Sequence, residues 1–177
     1  YLSVRFILPD WQYRNLSQLL AQTISNNRSY FEAIYSDSVS IEKYTFVRQQ
    51  AHQADTALTS AWQSIKVEPK GARLLKEQAF RLTYLNHTML SYISAFGAHH
   101  KNRKIENEDL EVCREISHIL SDAYNILNNK SDSTITSDIN ISDAYIENKS
   151  QPTHAIILLG NIRRFAKELY TEAVYMS

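Results

Sequence analysis

The sequence predicts an all-α fold: a helical bundle of about five helices, with long antiparallel helical hairpins and a flexible loop before the last helix. Three Gly and three Pro among 177 residues are too few for turn-rich β architectures. Apolar residues recur at three-to-four spacing along five stretches, the signature of helices with one buried face. The length suits one domain with a real core.

Helix one is expected from about Asp10 to about Ser36, since "LPDW" offers a start at Pro9 and Asp10. Its stripe is Leu16, Leu19/Leu20, Ile24, Phe31 and Ile34. "SDSVS" breaks it, and Ser40 begins helix two, whose stripe is Tyr44, Val47, Ala51, Ala54, Leu58, Ala61 and Ile65. The alanines let a neighbouring helix approach closely. "KVEPKG" supplies a turn. Helix three then runs from about Ala72 to about His100, with Leu75, Ala79, Leu82, Asn86, Met89, Ile93 and Phe96 on a heptad-like seam.

After the break "KNRKIENED", Asn107 is placed as a cap, and Glu108, Asp109 and Glu111 put acids in the first turn of helix four, where the macrodipole favours them. Leu110, Cys113, Ile116, Leu120, Ala123 and Leu127 form its buried face. Residues 128–151 are polar, rich in Ser, Asp and Asn, and long for a helix connection, so a flexible loop is expected there. Pro152 starts helix five, with Ile156, Leu159, Ile162, Phe165/Ala166, Leu169 and Ala173 facing in.

Nineteen Lys and Arg balance nineteen Asp and Glu, which argues against a nucleic-acid surface, where phosphate neutralisation dominates. The signs are segregated. Residues 67–104 carry seven basic and two acidic side chains, and residues 105–151 carry three basic and ten acidic. Adjacent blocks of opposite sign suggest pairing within the chain or, in the homo-oligomer that is expected, between copies. Cys113 is the sole cysteine, which excludes an intrachain disulfide and a CxxC site and fits a reducing compartment. Six N-x-S/T triplets, at Asn15, Asn27, Asn86, Asn129, Asn140 and Asn148, are what a chain rich in Asn and Ser produces by chance. No run of eighteen apolar residues spans a bilayer, and Arg81, Asn86 and His87 interrupt the best candidate.

Metal chemistry finds only fragments. "EISH" gives Glu115 and His118 the spacing used by di-iron bundles, but such a site needs that motif twice plus two further Glu. "DINISD", at 138–143, resembles the start of a calcium loop, yet Asp143 stands where Gly is required and Lys149 where a Glu must bind. No metal and no cofactor are expected. Gly-x-Ser-x-Gly and Gly-rich phosphate loops are lacking, and Cys113 falls on an apolar face, so no reaction is expected either.

Histidines 52, 87 and 99 fall on helices two and three. In a hairpin centred near Pro69, Asp55 opposes about residue 83 and His52 about residue 86. His52, Asp55, Asn86 and His87 therefore form the candidate polar cluster. It reads first as satisfied pairing that fixes helix register, and second as a binding site. Asp55 is expected to accept a hydrogen bond from helix three.

The segments "PDWQYRNLSQLLAQTI", "AHQADTAL" and "LTYLNHTMLSYISAFGAHHK", in this order and at these separations, resemble the C-terminal cytoplasmic region of YccS-type inner membrane proteins of the fusaric acid resistance protein-like (FUSC) family, relatives of aromatic acid exporters. The resemblance covers about residues 5–101, with Phe96 and His100 departing from the family pattern. It implies that residues 1–8, which open the chain without a Met, are the end of a preceding membrane helix or a linker. Residues 9–177 are then a single soluble domain on the cytoplasmic side of a bacterial inner membrane. The implied role is assembly or gating of the transmembrane region of the same full-length chain, within an efflux protein. The alternative is a sensor domain binding small aromatic acids, for which Trp62, Tyr84, Tyr92 and Arg81 offer aromatic rings and a cation.

Overall fold

The computed structural model describes residues 4–67, 73–100, 105–128 and 154–176, with side chains from residue 15 onward except 74 and 75. Five helices make it up: α1 Val4–Tyr35, α2 Ile41–Val67, α3 Arg73–His100, α4 Asn107–Leu127 and α5 His154–Met176. No strand occurs among the described residues. The expected loop at 128–151, including the calcium-like segment, lies almost wholly outside them.

α1 begins six residues ahead of the expected start, running through Pro9. Pro9 is the sixth residue of α1, past the first turn, where it removes one intrahelical donor while its fixed φ stays in the helical range. α2 starts as expected. Ser40 Oγ accepts from the Lys43 amide at 3.2 Å and its carbonyl accepts from the Tyr44 amide at 2.9 Å, satisfying donors that a helix start leaves open. Its own backbone amide first, and then the Ser40 hydroxyl, hold the Glu42 carboxyl below its ordinary range. At α4 the expected cap is displaced by one residue. Glu106, extended at φ −68° and ψ 153°, is the cap and makes no side-chain capping bond, so Asn107 is already helical. Its carbonyl accepts from the Leu110 amide at 3.0 Å, and Glu108 and Asp109 face the positive helix end as expected.

α1 packs against α2, α3 and α4, while α5 fills the gap between α3 and α4. Side-chain pairs fix the directions. Asn27 meets Asn86 and Phe31 meets Phe96, so α1 and α3 run parallel. His154 meets His99 while Glu172 meets Arg81, so α5 runs against α3. Tyr35 meets Ser117 while Gln18 and Gln22 share a cleft with Tyr124 and Asn128, so α4 runs against α1 and in the same direction as α5, to which Glu115 and Arg163 join it. A short turn cannot join parallel neighbours of this length, roughly 30 Å each at 1.5 Å per residue. That accounts for a long segment between α4 and α5, which a hairpin reading of the sequence does not supply.

The core follows the sequence stripes. Leu16, Leu20, Ile24 and Phe31 of α1, Ala51 and Leu58 of α2, Leu82, Met89, Ile93 and Phe96 of α3, Cys113, Ile116 and Leu120 of α4, and Ile162, Leu169 and Ala173 of α5 are buried. Gly97 sits where α3 crosses α1 and α2. A Cβ there would lie 3.0 Å from Tyr44 Oη and 3.1 Å from Ile34 Cδ1. The close crossing depends on the absent side chain.

Candidate functional site

Asp55 lies between Ala51 and Leu58 on the buried face of α2, and is only 8% exposed. A carboxylate in that position needs hydrogen-bond donors. Two come from α3. Asn86 Nδ2 donates to Oδ1 at 2.7 Å, and His87 Nδ1 stands 2.8 Å from Oδ2. Asn86 is fully buried, and its Oδ1 accepts from Asn27 Nδ2 of α1 at 2.6 Å. The direction of this chain is set by charge. An ionised carboxylate only accepts, so Asn86 turns its amino group to Asp55 and its carbonyl to Asn27. A line of hydrogen bonds thus runs from His87, whose side chain is 69% exposed, through three helices into the core. The inner end is incomplete: Asn27 Oδ1 finds no hydrogen-bond partner among the described residues.

Asp55, Asn86 and His87 therefore meet, and His52 does not join them. It is exposed, with its ring centroid 6.4 Å from that of Tyr30. The observed pairing of 55 with 86 and 87 differs by about one helical turn from the pairing expected about Pro69. The buried slot opposite Asn86 goes to Asp55, and His52, nearly a turn earlier, points outward. Asn27 was not singled out as a cluster member, although a signal exists. It falls three residues after Ile24 and four before Phe31, a polar residue on an apolar stripe.

Further polar groups pair between helices in the interior. Arg163, a buried cation on α5, makes a forked contact with Glu115 of α4, with Nε 3.0 Å from both oxygens and Nη2 2.8 Å from Oε1. Glu115 is thus engaged in an ion pair, and His118 is exposed, so the "EISH" spacing does not gather metal ligands. Among the described residues no group of three His, Cys, Asp or Glu is placed to hold a metal. Tyr35 Oη and Ser117 Oγ are 2.9 Å apart across α1 and α4, and burial raises the Tyr35 phenol. Burial first, and then the hydrogen bond to Tyr44, push Tyr30 up to about 12. Burial likewise raises the Cys113 thiol, reinforced by the Asp109 carboxylate. A thiol held protonated in the core is a poor nucleophile.

The aromatic and cationic set Trp62, Tyr84, Tyr92 and Arg81 does not converge. Trp62 packs on Phe80 at 5.5 Å, Tyr92 stacks on Phe165 at 5.7 Å, and Arg81 Nε reaches Glu172 at 2.8 Å. Tyr84 stands exposed. An open cleft of about 230 Å³ lies instead over α1 between α2 and α4, lined by uncharged groups such as Gln18, Gln22, Asn26, Gln50 and Tyr124. At the opposite side of the bundle, His99 lies 5.4 Å from both His100 and His154 by ring centroid.

The opposed charge blocks are not matched by packing α3 along α4, because α1 and α5 separate those helices. Among the described residues, Arg73 pairs with Glu77 one turn on, Arg81 with Glu172 of α5, and Glu115 with Arg163 of α5.

Over about half its length the chain is YccS-like. It is 39% identical over 103 residues to the inner membrane protein YccS of Escherichia coli (strain K12), an overlap of 56% of this chain and 14% of that protein. It is 31% identical over 108 residues to an uncharacterized protein of Haemophilus influenzae, covering 59% and 15% respectively. The chain thus spans about one-seventh of the length of these relatives. No family model matches the chain, and no solved structure matches it. No helix among the described residues is long and apolar enough to cross a membrane.

Proposed function

We propose that this bundle is a non-catalytic helical domain of a YccS-type inner membrane protein of the FUSC family, standing on the cytoplasmic side and acting in assembly or gating of the transmembrane part of its own chain. The observation that carries the reading is the 39% identity to a protein named for the inner membrane, of which the matched stretch is only 14%. The internal chemistry supports a structural role. Asp55, Asn86 and Asn27, and likewise Arg163 and Glu115, serve as ties between helices and leave no buried acid–base pair free for catalysis in the cluster. Efflux of aromatic carboxylates belongs to the same reading and falls to the transmembrane part, with copies of the chain assembling as a homo-oligomer.

The full reading frame and a pair of reporter fusions test this. Hydrophobic spans upstream, membrane fractionation, and a C-terminal fusion that is fluorescent with a cytoplasmic reporter and inactive with a periplasmic phosphatase are the expected results. A reading frame without spans, or the reverse reporter pattern, overturns the proposal. The melting temperature is expected to be insensitive to hydroxybenzoate. A shift that saturates with an aromatic acid, and not with an aliphatic acid of equal charge, replaces the scaffold role with a sensor, since a ligand bound only to the folded state stabilises it.

A further inference from the structure

The cleft over α1 is polar without being charged. Gln18, Gln22, Ser25 and Asn26 of α1 form its floor, with Gln50 of α2 on one wall and Tyr124 of α4 on the other. None of its lining side chains is acidic or basic, although 21% of the chain is Asp, Glu, Lys or Arg and exposed helix faces ordinarily mix both signs. The absence of charge extends along the helix: residues 15–27 contain no acidic or basic side chain. The floor groups are also unspent. On other exposed faces Thr56, Ser60, Ser64, Thr88 and Ser91 turn their hydroxyls back onto carbonyls of their own helices. The side chains of Gln18, Gln22, Ser25 and Asn26 make no hydrogen bond among the described residues. Gln50 holds a long contact, 3.4 Å, with Gln53.

We propose that this cleft binds a small neutral polyol, of the size of one sugar ring. A side-chain amide offers a donor and an acceptor side by side, and a hydroxyl is itself both, so the two match in either sense. Gln18, Gln22 and Asn26 follow at four-residue intervals, which sets successive side chains about 5–6 Å apart on one face of α1. Hydroxyls on opposite edges of one ring span that interval. The cleft holds about 230 Å³, below the ~300–1,000 Å³ of drug-sized sites. Tyr124 adds an aromatic surface for the C–H side of such a ring. An ion would leave water here without meeting a counter-charge, so the lining disfavours hydroxybenzoate. The inference goes beyond the membrane reading above and does not depend on it.

Side-chain amide resonances in nuclear magnetic resonance spectra of isotope-labelled protein report on the lining directly. Titration with glucose, galactose and myo-inositol is expected to move those of Gln22, Asn26 and Gln50 along a saturating curve for at least one of the three, while Asn161 of α5 stays in place. Added salt is expected to leave that affinity unchanged, as a neutral ligand requires. Gln22→Glu with Asn26→Asp keeps the shape and removes two donors, and is expected to weaken binding about tenfold or more. Gln50→Ala, on a different helix, is expected to weaken it as well. Unchanged circular dichroism shows that the variants fold. No saturating shift with any of the three probes overturns the proposal. So do linear shifts that Asn161 shares, which mark a bulk solute effect, and variants that bind as the parent does. Self-association in sedimentation that Gln22→Glu abolishes also overturns it, by giving the amides to a second copy. Reporter fusions and fractionation decide the membrane reading separately, so either can fail alone.

Discussion

Replacing Asp55 with Ala tests whether the polar line is a structural tie, and the structure sets its magnitude. The substitution removes the acceptor for Asn86 Nδ2, a donor at a fully buried position. A buried donor left without a partner costs about 1–3 kcal/mol. The contact with His87 adds little, because an exposed imidazole regains water when its partner goes, and exposed ion pairs contribute about 0–1 kcal/mol. Relief of carboxylate desolvation offsets part of the loss. Asp55→Ala is therefore expected to destabilise by about 1–3 kcal/mol, or roughly 2–12 °C in melting temperature for a domain of this size. Asp55→Asn keeps an acceptor of the same shape toward Asn86 and is expected to cost less, and His87→Ala about 1 kcal/mol at most. Urea unfolding monitored by circular dichroism measures all three, with an unchanged slope showing that the same surface is exposed. The reasoning fails if Asp55→Ala stays within about 0.5 kcal/mol of the parent, or if His87→Ala costs as much. The second outcome would put the energy at the surface end of the line.

The remaining expectations concern buried groups. Arg163→Met alone strands the Glu115 carboxylate and is expected to cost about 3–5 kcal/mol in urea unfolding, whereas Arg163→Met with Glu115→Leu returns to near parent stability. A single variant as stable as the parent would show that the pair is not buried in solution. Cys113 is fully buried and its thiol is raised, so alkylation by iodoacetamide is expected to proceed only as fast as the bundle opens, and to accelerate sharply in urea. Prompt labelling of the native protein would contradict its place in the core. Tyr30 keeps its proton to about 12 against an ordinary 10, so absorbance at high pH should show it titrating after the exposed tyrosines, and Tyr30→Phe should remove that late step. Below pH 10 its contribution to stability is fully present. Between 10 and 12 the unfolded chain releases the proton that the folded one retains, so stability falls by about 1.4 kcal/mol per pH unit.

The stripes of all five helices were legible in the sequence because burial of one helix face imposes a period that composition cannot hide. Leu82, Met89, Ile93 and Phe96 on α3 show it, as do Ile162, Leu169 and Ala173 on α5. Helix ends were less legible. Glu106 caps α4 with no side-chain bond, and Pro9 sits within α1, and neither matches a local preference rule. Half of the polar cluster could be read from the α2–α3 hairpin alone, since Asp55 and Asn86 both interrupt apolar stripes. The register could not, because a shift of one turn leaves both stripes facing each other and exchanges only which polar residue lies opposite which.

Asn27 and Arg163 required knowledge of which helices are neighbours, and that is a property of the whole packing. α1 lies between α2 and α4 and also reaches α3, and only that arrangement delivers an amide from α1 to Asn86. The same packing explains why a buried polar line persists where an apolar one would be at least as stable. Leucine at 27, 55 and 86 would pack in several neighbouring registers. A carboxylate that must receive Asn86 Nδ2, and an Asn86 carbonyl that must receive Asn27 Nδ2, admit only one. Replacing all three by leucine is therefore expected to preserve or raise stability while broadening the amide resonances of α1–α3 in nuclear magnetic resonance spectra, as alternative registers exchange. A triple variant with sharp, singly populated resonances would show that apolar shape alone sets the register, and that the line serves some purpose other than specifying the fold.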